Sequence, residues 1–172
     1  MATTAAGTPY VESSDLVANY PGVSLALANH IDTIGKVLQV VVGTTSTVVA
    51  SSSTTYVDTG LTATITPASL TNKVLVFIFH THCIKTSEHI NNAMNVRLLR
   101  NGTQISQVAE SFAFTGTALG LRFNVSSSFL DSPNSISSLI YKTTFANYVA
   151  QASVSVQIDS IASTIVLMEV SA

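Results

Sequence analysis

From Lys36 to Ala172 apolar and polar residues alternate in short runs with a period of two; before Lys36 they do not. KVLQVVV, TSTVVA, TYVDTGLTATITP and KVLVFIFHTHC are rich in β-branched residues and Thr, which suit a pleated surface. MNVRLLRNGTQISQV holds the clearest hairpin, because Asn101-Gly102 suits a two-residue type I′ turn. LGLRFNVSSSFL, LIYKTTFA, VAQASVSVQI and STIVLMEVSA bring the total to about ten strands. Helical periodicity is absent after Ile34. The pattern predicts a mainly β domain over residues 36–172, an antiparallel, jelly-roll-like β-sandwich.

Residues 1–35 read differently, as an arm followed by a helical segment. ATTAAGTPYVE is extended. SSDLVANY is a short helix with Ser13 or Ser14 as its cap and Asp15 in its first turn. Pro21-Gly22 ends it, and Pro21 also suits the start of a second helix, VSLALANHIDTI, which Gly35 would stop. On that helix Val23, Leu27, Ile31 and Ile34 form one apolar stripe. A helix this short is marginal alone and must pack on something.

Several strands are apolar on both faces. In KVLVFIF, Val74, Val76 and Ile78 share one face, and Leu75, Phe77 and Phe79 the other. In TIVLMEV, Ile165 and Leu167 alternate with Val166, Met168 and Val170. A strand of a two-layer sandwich needs one core face and one wet face. The second apolar face predicts contact between subunits.

Composition sharpens this. Apolar residues make up 47% of the chain and charged residues only 9%, against roughly a quarter in an average soluble domain. Ser and Thr serve as the polar residues, as suits surface buried in an assembly. The net charge of −2 leaves no basic patch, so nucleic acid is not an expected partner. Mean hydropathy is +0.44, yet the longest apolar runs, VLVFIF and VVV, fall far short of the roughly 20 residues of a spanning helix. Trp is absent and the Tyr residues are scattered, unlike the girdles of a membrane barrel. MATTAAGTPY lacks the charged start and apolar core of a signal peptide. No membrane insertion is expected, and synthesis in a cytoplasm is. The single cysteine excludes an intrachain disulfide.

The strongest chemical lead is HTHC, with two of the four histidines and the only cysteine. Strand parity puts His80 and His82 on the face of Val74, Val76 and Ile78, with Cys83 opposite. Two ligands are too few for zinc. His30 lies in the helical segment and His89 in a loop, so no metal site forms within one chain. His80 and His82 are instead candidate interface histidines, able to meet symmetry mates and respond to pH near 6.5. Cys83 has no positioned base on its own face.

The carboxylates Asp58, Glu88, Glu110, Asp131, Asp159 and Glu169 fall in no motif. Asp58 precedes Thr59-Gly60 and Asp131 precedes Ser132-Pro133, which favours turn roles. Glu169 sits in the last strand, a candidate for an interface. Tyr141 and Tyr148 could stack on sugars, though core or interface packing suits both better. No phosphate loop, GxSxG or HExxH occurs. The expectation is a binding protein with no cofactor, not an enzyme.

In order along the chain, VLQVV, VDTGL, KVLV, LLRNGTQI, FLDSP, YKTTF and STIVLMEVSA resemble a domain recurring in virion proteins of tailed bacteriophages, especially marine and cyanobacterial ones. TPYVESSDLVANYPGVSLALANHID is similar to a segment preceding the fibre or decoration domain in such proteins. The resemblance implies a virion structural protein, a homotrimer with sandwiches of the tumour-necrosis-factor and C1q type. It implies an N-terminus docked to tail or capsid proteins and a projecting C-terminal domain. The docking and trimerisation residues would be Tyr10, Leu16, Tyr20, Val23, Leu27, Ile31 and Ile34. Host attachment as a tail fibre is the leading role. A capsid decoration or head-fibre protein, or a lectin-like module for host surface polysaccharide, are the alternatives. No catalytic residue is implied.

Overall fold

The computed structural model describes residues 2–4, 9–10, 20–33 and 35–171. The chain divides into two compact units, Met1–Lys36 and Val37–Ala172.

In the first unit β1 (Ala2–Thr3) pairs antiparallel with β2 (Pro9–Tyr10), Ala2 opposite Tyr10. Helix α1 spans Tyr20–Thr33. Pro21 therefore opens this helix, where its missing N–H costs nothing. The expected short helix over SSDLVANY lies outside the described residues except at Tyr20. Val23 is buried and Leu27 half-buried, while Leu25 is 62% exposed.

The second unit holds ten strands. They are β3 (Val37–Thr45), β4 (Val49–Ser51), β5 (Val57–Ile65), β6 (Lys73–Lys85) and β7 (Met94–Arg100), then β8 (Thr103–Phe112), β9 (Leu121–Asp131), β10 (Leu139–Asn147), β11 (Val154–Val156) and β12 (Ser163–Val170). One sheet runs β5-β10-β7-β8. In the other, β3 pairs β12, β12 pairs β6 and β6 pairs β9, while β11 and β4 extend the lanes of β12 and β3. Every pairing is antiparallel. Two four-lane sheets between which the chain crosses back and forth make a jelly roll, as the periodicity predicted.

The alternation read from the sequence is the alternation of burial. Leu61, Ala63 and Ile65 of β5, Val74, Val76 and Ile78 of β6, and Ile165 and Leu167 of β12 fill one core cluster with Leu98, Leu139 and Tyr141. Tyr141 is thus a core residue with no face for a sugar. A second cluster joins Cys83, Met94, Val96, Val125, Phe145, Val154 and Val156. The hairpin forms as expected, with positive φ at both Asn101 and Gly102, the requirement of a type I′ turn.

Gly43 closes the sandwich at one side. A Cβ there would overlap the Thr62 carbonyl of β5, because the two sheets approach backbone to backbone at this point. Gly102 has open space and only its φ of 84° to protect. Gly43→Ala should therefore cost about 3 kcal/mol or more, through forced movement of the backbone. Gly102→Ala should cost about 1 kcal/mol, from conformation alone. Urea unfolding of the two variants beside the parent measures both; equal losses would contradict the packing at Gly43.

Candidate functional site

The HTHC segment ends strand β6, and a bulge runs through it. His80 pairs with Val125 of β9, but the next paired residue is Cys83, opposite Phe123. His82 absorbs the irregularity in the left-handed region at φ 46°. The bulge resets the parity. His80 and Cys83 both enter the core, fully buried, and the His82 side chain is 41% exposed. The expectation that His80 and His82 share a face is thereby corrected. So is the placement of His80 at a surface where symmetry mates could meet. His82 Nδ1 lies 3.5 Å from Asp159, which Arg122 also contacts, and the His82 backbone N–H donates to Asn124 Oδ1 at 3.0 Å. Burial pushes the Cys83 thiol up to about 12, which disfavours its thiolate form. Among the described residues no three His, Cys, Asp or Glu side chains gather as a metal would need.

Inside, His80 belongs to a polar belt. The Gln157 amide N–H donates to His80 Nδ1 at 3.3 Å and to Ser163 Oγ at 3.0 Å. This leaves His80 Nε2–H to donate to Thr143 Oγ1 at 2.9 Å. Thr143 Oγ1 lies 2.6 Å from Thr59 Oγ1, and the Thr59 hydroxyl donates to the Thr143 carbonyl at 3.1 Å. Backbone N–H groups of Leu61 and Thr81 donate to Thr59 Oγ1 and Ser163 Oγ. The belt thus links β6 and the β11–β12 connection to β10 and β5 of the other sheet. It lies between the two apolar clusters: Ile78 and Tyr141 belong to one, Cys83 and Phe145 to the other.

Two carboxylates brace the sandwich. Asp131 is buried and accepts from Arg100 at 2.5 Å and from the Tyr141 hydroxyl at 2.6 Å. Its expected turn role is corrected, because its parity on β9 points it inward. Burial, then the bond to Asp131, raises the Tyr141 hydroxyl well above its usual range. Glu169, expected at an interface, is also fully buried. It accepts from Gln39 and Asn72 at 2.5 Å and from the Ala68 N–H at 2.7 Å. Burial opposes its charge, but these donors outweigh it and hold the carboxyl below its usual range. Asp58 too lies in a strand and not in a turn: it stands opposite Thr144 within β5, where it accepts the Gly60 N–H at 2.9 Å beside a register shift.

His80, Asp131 and Glu169 are all buried. The surface feature that stands apart is the outer face of the β3-β12-β6-β9 sheet. Register sets three rows across it: Val40, Met168, Leu75, Leu130; Val42, Val166, Phe77, Ser128; Thr44, Thr164, Phe79, Ser126. No position in them carries a charge. Val42 is 57% exposed, Leu130 51% and Phe79 45%. A shallow open groove of about 360 Å³ runs along Phe77, Phe79 and Ser126 to Ser128.

The opposite sheet reads the other way. Its outer rows are Thr62, Lys142, Leu99, Gln104 and Asp58, Thr144, Arg97, Gln107. Lys142 pairs with Asp58 at 2.7 Å, and the Arg97 guanidinium stacks 3.6 Å from the Tyr56 ring centroid. One face is built for water and the other is not.

Of the expected docking residues, Val23 is buried and Leu27 half-buried on α1. Tyr20 and Ile31 lie on that helix and Tyr10 in β2. Leu16 and Ile34 lie outside the described residues. The belt residues Thr59, Thr143, Gln157 and Ser163 were missed; the only available signal was Thr143 at inward parity between Tyr141 and Phe145.

No family model matches the chain, and neither does any curated protein. Among solved structures, it is similar to the infectious bursal disease virus VP2 subviral particle. The TM-score is 0.41 and the identity 14%, covering 78% of this chain and 40% of that one. The chain thus spans under half the length of that protein. Among the described residues no helix is long and apolar enough to cross a membrane.

The belt makes stability pH-dependent. Burial lowers His80 from its ordinary 6.5 to about 4. Between those values only the unfolded chain takes up the proton, so stability is full above pH 6.5, falls as pH drops, and levels off below 4. The loss attributable to His80 should approach about 3 kcal/mol. Urea unfolding at pH 7 and pH 4 checks this, since His80→Gln keeps a donor and an acceptor but should lack that share of the loss. An identical loss in the variant would contradict it.

Proposed function

We propose that this chain is a structural subunit of a virion. In this reading it is a homotrimer docked to the particle by residues 1–35, with a projecting sandwich that serves host attachment as a tail fibre. Its work is assembly and binding, with no catalytic step and no cofactor. The observation that carries the assembly reading is the uncharged apolar face of β3-β12-β6-β9, set against the charged outer face of the other sheet. A freely monomeric sandwich would place polar residues on both. The resemblance of the run from VLQVV to STIVLMEVSA to tailed-phage virion proteins is what suggests the particle as its setting.

Light scattering on the full chain should return three times the 18.0 kDa subunit mass. Val166→Asp, at the centre of the apolar face, should reduce it to one subunit with the sandwich still folded. Thr62→Asp on the opposite face should leave the assembly intact. A parent chain that runs as a monomer would sink the reading.

Docking is tested separately. Phage carrying a chain that lacks Met1 to Gly35 should assemble without this protein, although the remainder folds. Incorporation of the truncated chain would remove the docking role.

A further inference from the structure

The apolar face is not uniform across its width. Along β3 the outward residues Leu38, Val40 and Val42 stand up as a ridge of exposed aliphatic side chains. Two lanes away, Phe77 and Phe79 of β6 lie opposite Ser128 and Ser126 of β9, and the small serines beside the large rings make the groove. Between them β12 presents Val166 and Met168, both half-buried. With lanes about 4.8 Å apart, the ridge sits roughly 10–14 Å from the groove of its own sheet and cannot fill it.

We infer that the occupant of the groove is a second copy of this chain: the β3 ridge of one subunit seats between β6 and β9 of the next. This rests on the assembly reading above and specifies its contact. Three observations carry it. First, ridge and groove match in chemistry. Neither carries a charge, so no charged partner is called for, and exposed valines complement a cleft walled by phenylalanine and floored by serine. Second, both strands are sheet edges. Among the described residues β3 pairs only with β12, and β9 only with β6, and a sheet edge presents backbone groups that proteins normally cover.

Third, area disfavours a single flat patch. Four lanes by three rows give about 19 Å by about 20 Å. That is about 400 Å², against about 800 Å² from each partner in an ordinary interface. A subunit that offers its ridge to one neighbour and its groove to another adds both edges to the buried surface. In a ring of three every ridge and every groove is used once, and no apolar strip is left over to propagate a fibre.

The test uses full-length chains in two differently tagged versions, Val42→Cys and Ser128→Cys, co-expressed, purified as the assembly and treated with a short bis-maleimide. Cross-linked product joining the two tags should exceed product from either variant expressed alone by about tenfold. Cys83 is buried, so the parent chain should give none. Val42→Cys linked to itself as abundantly as to Ser128→Cys would overturn the inference in favour of ridge on ridge. No mixed product from a preparation that light scattering shows to be trimeric would also overturn it, while leaving the assembly reading intact. A monomeric parent would remove both.

Discussion

His80 donates its Nε2–H to Thr143 Oγ1 across the interior of the sandwich, and the two sheets are joined by this crossing where both depart from regular pairing. At the same height β6 bulges between His80 and Cys83, and the β5–β10 pairing slips between Lys142 and Thr144. The lane beside β6 also changes here from β11 to β12, through Gln157, Asp159 and Ser160 at positive φ. Each irregularity frees backbone groups that cannot be left unpaired inside a core. Thr59, Ser163 and Asn124 take up the freed N–H groups of Leu61, Thr81 and His82. Thr59 and Ser163 of the belt thus pair backbone groups inside the sandwich where the ladders are irregular.

Among the described residues of the belt, Gln157 Oε1 alone is buried with no partner. Each bond of the belt matters, since a buried group without a partner costs more than the bond it replaces. That ties the histidine to its neutral form. The same logic governs Glu169 and Asp131 at other places in the sandwich, where a buried carboxylate is held by two or three donors. Asp58, Arg97 and Lys142 by contrast sit on the outer face of the β5-β10-β7-β8 sheet. The other outer face has none in its central rows, and this division carries the functional reading.

The strands, the Asn101-Gly102 turn and the two-faced character of β6 and β12 were legible because each depends on local chemistry: residue type, a period of two and positive φ at a turn. HTHC departs from its strand parity for a physical reason. Parity arguments assume an unbroken ladder, and a single bulge reverses every assignment beyond it. Asp131 and Glu169 were placed at turn and interface because their donors, Arg100, Tyr141, Gln39 and Asn72, lie 31, 10, 130 and 97 residues away.

By itself, then, the sequence determined a jelly-roll sandwich, its turns, and the existence of more apolar strand faces than one core can use. Those properties are written in neighbouring residues, two to four positions apart. Only the tertiary structure decided which of the two faces of each strand is interior, where the bulges fall, and that the spare apolar positions of four strands distant in the chain align in register on one sheet. That alignment depends on which strands pair, and pairing is set by long-range packing that no local pattern encodes.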